Sequence, residues 1–321
     1  MNEFMLSVII PTYNRSQLIS DCLYSISKQL LPYSQFEVIV VDDCSNDDTW
    51  NLLNTLEFPF KYKFERNKKN SGRAKTRNRA LELVSGDVIL MLDDDIYCDQ
   101  NLFINHLKLH KSSNKALIVA GSILNNKSIK NTIWNKYISN HHEWAYEEML
   151  RNKENLSPNF FKTANVSVHK KIVDNIGGFN ESFTNYGCED TYFGYLAVEA
   201  GYEIIFESNA IGYHYHDENF DMLESKFYSL GVSSNELHKI KAKKNRSDYD
   251  GFFITNFNEV KKIRHLFYNI IKFIIFKPFC VYINKLLIKR LSGFTFTHKF
   301  ITSFLLPIYK IQIMKIGQAK G

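Results

Sequence analysis

The run Gly86-Asp87-Val88-Ile89-Leu90-Met91-Leu92-Asp93-Asp94-Asp95-Ile96-Tyr97-Cys98-Asp99 has an apolar centre and an acidic end. Val88 to Leu92 lie between a glycine and a block of charge, the pattern of a short buried strand. Asp93, Asp94 and Asp95 follow directly and repel one another. Side chains alternate on an extended backbone, so Asp93 and Asp95 are expected to point the same way. Two carboxylates converging beyond a buried strand can hold a hard divalent cation, and the cation relieves the repulsion. A solvated acidic turn is the plainer reading of the same residues.

With 321 residues and 45% hydrophobic content, the chain can form one large α/β domain with an appendage, or two domains. Cys22, Cys44, Cys98, Cys188 and Cys280 are odd in number and widely spaced, with no C-x-x-C. That argues against a disulfide framework or a zinc site and for a reducing compartment. Residues 1–7 lack the pattern of a signal peptide. The net charge of +6 is unevenly spread. Residues 261–321 hold twelve of the 40 basic side chains and none of the 34 acidic ones, which leaves the first 260 residues at −6. A mildly acidic body with a strongly basic tail suggests a polyanionic partner for the tail.

Leu6 to Ile10 reads as a first strand, ended by Pro11-Thr12-Tyr13-Asn14-Arg15. Leu18, Cys22, Ile26 and Leu30 then have helical spacing. Phe36 to Val41 is a second buried strand closed by Asp42-Asp43, and Ser45 or Asn46 can cap a helix starting near Asp47. Lys61 to Glu65 fits a third strand, and Gly72 to Val84 a helix bearing Arg73, Lys75, Arg77 and Arg79. Strands alternating with helices predict parallel pairing, and ligands beyond the carboxyl ends of the strands. Three strands end there in polar groups: Thr12 to Arg15, Asp42-Asp43 and Asp93 to Asp95.

Further on, Leu102, Ile104, Leu107 and Leu109 fit a helix and Ala116 to Ala120 a strand. Asn125 to Ser157 reads as helix and loop, with Trp134, Tyr137, His141, His142, Trp144 and Tyr146 suited to stacking on sugars or to ordinary packing. Phe160 to Val168 alternates like a strand, and Gly177-Gly178 permits positive φ and close backbone approach. Glu189 and Asp190 open a helix that ends near Gly201; favourable contact with the helix dipole would by itself account for them. Tyr202 to Phe206 is another strand. Beyond it, alternation puts His214 and His216 on one face, as metal ligands or as polar surface.

Six pieces in this order resemble glycosyltransferase family 2: Ser7 to Arg15, Val40 to Ser45, Asn70-Ser71-Gly72 with Arg77-Asn78, Gly86 to Asp95, Gly177-Gly178-Phe179, and Glu189-Asp190. The resemblance covers about the first two thirds of the chain. It implies an inverting enzyme of bacterial surface-glycan type with a GT-A fold, a mostly parallel α/β sheet flanked by helices, over residues 1–220. It implies that Thr12, Tyr13 and Asp42 contact the nucleotide base, with Pro11, Arg15, Asp94 and Gly178 also at the donor site. Arg73 and Arg77, four apart on a helix, are implied to meet the diphosphate. Asp93 is implied as a ribose and metal contact and Asp95 as the main ligand of Mg²⁺ or Mn²⁺, with His216 or His214 as a further ligand. Asp190 is implied as the catalytic base, with Glu189 beside it for the acceptor.

The implied chemistry is consistent from first principles. An acceptor hydroxyl displaces a nucleoside diphosphate, UDP by default, from C1 of a sugar. The leaving diphosphate gains charge, so a cation and arginines aimed at it lower the barrier. The hydroxyl must lose its proton to a carboxylate on the opposite face, and in-line attack inverts the anomeric centre.

The region 221–321 is expected to be helical, and basic from about residue 260. Over 260–276, Ile263, Leu266, Phe267, Ile270, Ile271 and Ile274 oppose Lys261, His265, Asn269 and Lys272. Pro278 breaks that pattern, Tyr282 to Leu291 repeats it, and Phe300 to Ile316 carries a third such segment interrupted by Pro307. There is no clean stretch of ~20 apolar residues for a transmembrane helix. Basic amphipathic helices lie on anionic membranes, so the expected place is the cytoplasm, peripheral on the inner face of the cell membrane. The acceptor is then a glycan or a lipid-linked hydroxyl. A helical cap or an oligomer contact is the plainer alternative, and no nucleic-acid motif accompanies the charge. Two other classes compete with the transferase: a nucleotidyltransferase of the same architecture, whose Gly-rich first loop is missing here, and a non-catalytic membrane scaffold.

Overall fold

The computed structural model describes residues 5–243, 278–294 and 298–320. They form two compact units. The first comprises Met1–Lys130, Ile138–Thr184 and Glu189–Asp217, and the second Asn131–Tyr137, Asn185–Cys188 and Glu218–Gly321.

The first unit is built on an eight-stranded sheet. Its strands are β1 (Leu6–Thr12), β2 (Phe36–Asp42), β3 (Lys61–Arg66), β4 (Val88–Leu92), β5 (Ile96–Cys98), β6 (Ile118–Asn125), β7 (Asn165–His169) and β8 (Ile204–His214). Their order is β3-β2-β1-β4-β7-β6-β8-β5. β1 runs parallel to β2 and β4, β2 to β3, and β6 to β8. β7 lies antiparallel between β4 and β6, and β5 lies antiparallel to β8. The sheet is therefore more mixed than the alternation of elements predicts. Apolar periodicity reports which faces are buried and carries no information on strand direction.

Both faces of the sheet are covered, which is why β1, β2 and β4 read as unbroken apolar runs. Val8, Ile10, Val88, Leu90 and Leu92 pack on one side, with Ile19, Cys22, Leu23 and Ile26 of α1 (Ser16–Ile26) and with Leu102, Phe103 and Leu107 of α4 (Leu102–Ser112). Ile9, Ile89 and Met91 face the other side, with Ala74 and Ala80 of α3 (Arg73–Leu81), Ile172 of α6 (Lys170–Ile176) and Phe193 of α7 (Glu189–Glu199).

Element boundaries differ from expectation for local reasons. α1 stops at Ile26, and Leu30 is exposed. α2 (Thr49–Leu53) has Asp48 at its N-cap; the Asp47 carboxylate before it accepts from the Thr49 N–H at 3.0 Å, while the Ser45 hydroxyl accepts from the Asn14 N–H at 2.8 Å. The polar-aromatic stretch forms one long helix, α5 (Ile133–Arg151). The two strand pieces expected after Gly201 are the single long strand β8, bulged opposite Gly121/Ser122.

In the second unit, α8 (Phe220–Lys243) packs with α9 (Pro278–Leu291) and α10 (Leu306–Lys320). Gly231 of α8 lies against the Met314 backbone and Gly317 of α10 against the Tyr228 carbonyl, leaving no space for a Cβ at either glycine. Pro278 opens α9, where its missing N–H costs nothing. Pro307 does not break the last helical segment. It sits in the first turn of α10, just after a π-helical turn at Ile301–Leu305 that absorbs the lost hydrogen bond. Ile301, Leu306, Tyr309 and Ile313 are buried. Lys285 pairs with Glu224 at 2.6 Å and Lys289 with Asp221 at 3.2 Å, so these two tail cations face acids of α8. The expected amphipathic stretch 260–276 lies outside the described residues. Among the described residues no helix is long and apolar enough to cross a membrane.

Candidate active site

The carboxyl ends of β1, β2 and β4 are adjacent in the sheet, so the three polar strand ends meet. The backbone turns directly after β4, with the Ile96 N–H donating to the Asp93 carbonyl at 3.2 Å. This turn ends the strand alternation, and the three aspartates diverge to different partners. Asp93 Oδ1 accepts from Arg77 Nη2 at 2.9 Å. Asp94 Oδ2 accepts from the Thr12 hydroxyl at 2.7 Å, and its Oδ1 from Arg15 Nη1 at 3.1 Å. Asp95 Oδ2 lies 2.5 Å from the same Arg15 nitrogen, and Asp95 Oδ1 lies 3.5 Å from His214 Nε2. The expectation that Asp93 and Asp95 share a direction is corrected accordingly.

Burial pushes the Asp94 carboxyl up to about 7, against the pull of Arg15 and with help from Asp95. Burial also opposes charge on Asp95, yet His214 and Arg15 prevail and hold its carboxyl well below the usual range. Asp95 is thus a fixed negative charge. Its Oδ1 is buried without a hydrogen-bond donor.

Of the expected donor-site residues, Pro11 and Thr12 lie in β1 opposite Val41 and Asp42, and Tyr13 is exposed on the loop that follows. The Asp42 side chain is fully buried; the Ser45 N–H donates to it at 3.1 Å and Arg66 Nε lies 3.2 Å away, so it shapes its own loop and does not face outward. Asp43 is expected from the sequence only as part of a polar strand end, with no role of its own. It accepts from the Ser71 N–H at 2.8 Å and the Gly72 N–H at 2.9 Å, tying the end of β2 to the start of α3. Gly72 has φ +81, a conformation that favours glycine.

Arg77 is corrected most. It is 1% exposed and does not face outward toward a diphosphate. Its Nη2 bonds Asp93, and its Nη1 bonds Glu189 Oε1 at 3.0 Å. Arg73, one turn earlier, is half-buried and favours the charged form of Glu189. Gly178 is pressed against the Asn78 amide, which accepts from the Phe179 N–H at 2.7 Å, so its lack of a side chain serves packing.

α7 places Glu189 and Asp190 in its first turn. Glu189 is buried, and burial together with Asp190 raises its pKa against Arg77. Burial also opposes charge on Asp190, but Lys162 Nζ at 3.4 Å and the Thr191 N–H at 2.6 Å outweigh it and lower the pKa. Asp190 is therefore held in its ionised form. Lys162 carried no signal in the sequence, since nothing there shows that the approach to β7 passes α7.

His214 and His216 do share a face. Their Nδ1 atoms are 3.2 Å apart. His142 of α5 joins them, so that one ring nitrogen from each of the three lies within 4.8 Å of the others. The orphaned Asp95 oxygen and these imidazoles fit a divalent cation.

The family model of glycosyl transferase family 2 matches residues 7–179. The chain is 25% identical over 283 residues to the uncharacterized glycosyltransferase YfnE of Bacillus subtilis, covering 74% of this chain and 71% of YfnE. It is 40% identical over 95 residues to TarS, the poly(ribitol-phosphate) beta-N-acetylglucosaminyltransferase of Staphylococcus aureus, but this covers 29% of the chain and 17% of TarS. In structure it is similar to TarS 1–349 in complex with UDP-GlcNAc, with TM-score 0.54, 19% identity, and coverage of 98% and 91% of the two chains. It is also similar to the mannosyltransferase PcManGT from Pyrobaculum calidifontis in complex with GDP-Man and Mn²⁺, with TM-score 0.58, 19% identity, and coverage of 74% and 65%. At such identity the two structures speak to the fold, which is GT-A in both. With its model matched over more than half of the chain, glycosyl transferase family 2 is the family of enzymes to which this protein belongs.

Proposed function

We propose that the protein transfers a sugar, with inversion, from a nucleoside-diphosphate donor to a hydroxyl of a glycan or lipid-linked acceptor in surface-polysaccharide synthesis. The observation that carries this reading is the buried Arg77, which joins Asp93 at the strand end to Glu189 at the head of α7. Donor-side and acceptor-side carboxylates thereby belong to one site.

In this reading Thr12, Tyr13 and Arg15 line the nucleotide side, and Arg73 is the cation nearest the diphosphate. A divalent cation, Mn²⁺ or Mg²⁺, would be held where Asp95 meets His214 and His216, and when bound would offset the charge of the leaving diphosphate. Asp190, ionised and positioned by Lys162 and Thr191, accepts the proton as the acceptor oxygen bonds to C1. The bond from C1 to the diphosphate oxygen breaks on the opposite face. The names of TarS and PcManGT, with their UDP-GlcNAc and GDP-Man complexes, support a nucleotide-sugar donor. Hydrolysis of a panel of nucleotide sugars, with and without EDTA, tests the reading. Turnover of one donor that EDTA stops and Mn²⁺ or Mg²⁺ restores supports it; no turnover of any donor, or full activity in EDTA, defeats it.

The region 221–321 is assigned to membrane attachment. Phe279, Tyr282 and Leu286 recur at helical spacing on α9 and are exposed, with Arg290 beyond them also exposed. An apolar stripe beside positive charge suits an anionic membrane surface.

A further inference from the structure

The three histidines differ in chemistry from the acidic strand end. Mg²⁺ prefers oxygen ligands in a near-octahedral shell, whereas imidazole nitrogen suits zinc and its neighbours in the transition series. A site with three imidazoles therefore discriminates between ions. In a tetrahedral shell with bonds of about 2.05 Å, neighbouring donors lie about 3.3 Å apart. His214 Nδ1 and His216 Nδ1 are 3.2 Å apart, already at that spacing.

The rings are also oriented. His142 Nδ1 lies 3.1 Å from the Asn125 Oδ1 acceptor, so it carries the proton and Nε2 is left as the donor to an ion. His214 presents Nδ1 to His216 and Nε2 to the buried, otherwise unpartnered Oδ1 of Asp95. A carboxylate or amide behind each imidazole is the usual outer support of a metal-bound histidine. Asn125 and His214 are register partners on adjacent strands, so β6 and β8 hold the support of His142 beside the His214 ring.

We propose that His142, His214 and His216 form a nitrogen-rich cation site that takes an ion of the zinc–cobalt class in preference to Mg²⁺, with Asp95 and Asn125 as its outer supports. This rests on the reading that Asp95 belongs to a cation site and narrows the ion that the site selects.

The test is titration of the metal-stripped full-length protein with Co²⁺, followed by visible absorption and with no sugar nucleotide present. Wild type should bind Co²⁺ with d–d bands of low-coordinate nitrogen ligation, Zn²⁺ should displace it, and a large excess of Mg²⁺ should not. His142→Ala should weaken Co²⁺ binding by more than ~100-fold, and Asn125→Ala by ~10–100-fold, the usual cost of losing an outer partner. Circular dichroism of the apo proteins separates loss of the site from loss of the fold, and the wild-type competition needs no variant. Displacement of Co²⁺ by Mg²⁺ at comparable concentration, or a folded His142→Ala protein with unchanged affinity, overturns the proposal. Donor hydrolysis is measured in parallel. Co²⁺ binding without turnover of any donor would defeat the transferase reading and leave this site standing; metal-dependent turnover with no Co²⁺ site would do the reverse.

Discussion

Arg77 and Glu189 lie 112 positions apart in sequence and 3.0 Å apart in space, both almost wholly buried. A buried charge that loses its partner is costly, so Arg77→Met should lower stability by about 3–5 kcal/mol. Adding Glu189→Gln removes the stranded charge and should recover part of that loss. Arg77→Lys should not rescue it, because a point charge cannot serve two carboxylates in a fork. Urea unfolding of wild type, Arg77→Met, Glu189→Gln, the double variant and Arg77→Lys decides; additive losses in the double variant would show that the pair is not coupled.

Asp190→Asn keeps the size of the side chain and removes the proton acceptor. Turnover to acceptor should fall by ~10²-fold or more, with donor KM nearly unchanged. A large rise in donor KM at normal kcat would place Asp190 on the donor side.

His106 is buried, with Ser167 Oγ and Asn165 Oδ1 at 2.8 and 2.9 Å from its ring nitrogens, and His110 lies 2.8 Å from the same Ser167 oxygen. Burial pulls His106 down to about 4 and His110 to about 3, from an ordinary 6.5. Below pH 6.5 the unfolded chain takes up protons that the folded chain excludes. Stability from these groups is therefore complete above about pH 6.5 and declines as pH falls toward 4. Each pH unit between the folded and unfolded values corresponds to about 1.4 kcal/mol. Melting temperature from pH 7 to 5 should fall less steeply in His106→Gln/His110→Gln than in wild type, even if the variant melts lower throughout. Parallel curves would refute the assignment.

The exposed stripe of α9 gives a direct test of membrane attachment. Full-length protein should sediment with anionic vesicles, less so in high salt but still measurably, because salt does not screen apolar burial. Phe279→Ser/Tyr282→Ser/Leu286→Ser should abolish sedimentation and leave donor hydrolysis intact. Wild-type protein that ignores anionic vesicles would return α9 to the role of a helical cap.

Close contact at Gly231 allows no side chain. Gly231→Ala forces α8 and α10 apart, with a cost of about 1–3 kcal/mol for overpacking. Limited proteolysis should then cut α10 faster than in wild type, and an unchanged pattern would mean that the helices adjust without strain.

The strand cores were legible because β1, β2 and β4 are covered on both faces and announce themselves as apolar runs. The antiparallel insertion of β7 was not, since direction leaves no trace in periodicity. Asp93, Asp95 and Glu189 were found as residues, but their partners were not, because the turn after β4 and the burial of Arg77 are tertiary facts. Counting cysteines argued against a zinc site, yet nitrogen ligands can assemble from α5 and β8, which are distant in the chain. His142 stood in a stretch of aromatic residues that gave it no reason to be singled out. Truncation before the tail, the obvious test from sequence, would also strip α9 and α10 from α8, so point substitutions on the exposed stripe replace it.

The place of β7 has a consequence for how the protein is made. Val88–Leu92 is paired on one edge by β1, but its other edge waits for Asn165–His169. During synthesis at roughly 5–20 residues per second, that apolar edge stays open for a time on the order of seconds. An unpaired edge of this composition is a template for pairing with another chain. The nascent protein is therefore most prone to aggregate while the ribosome translates the segment between β4 and β7, and a pause there should lower the soluble yield more than a pause after residue 170.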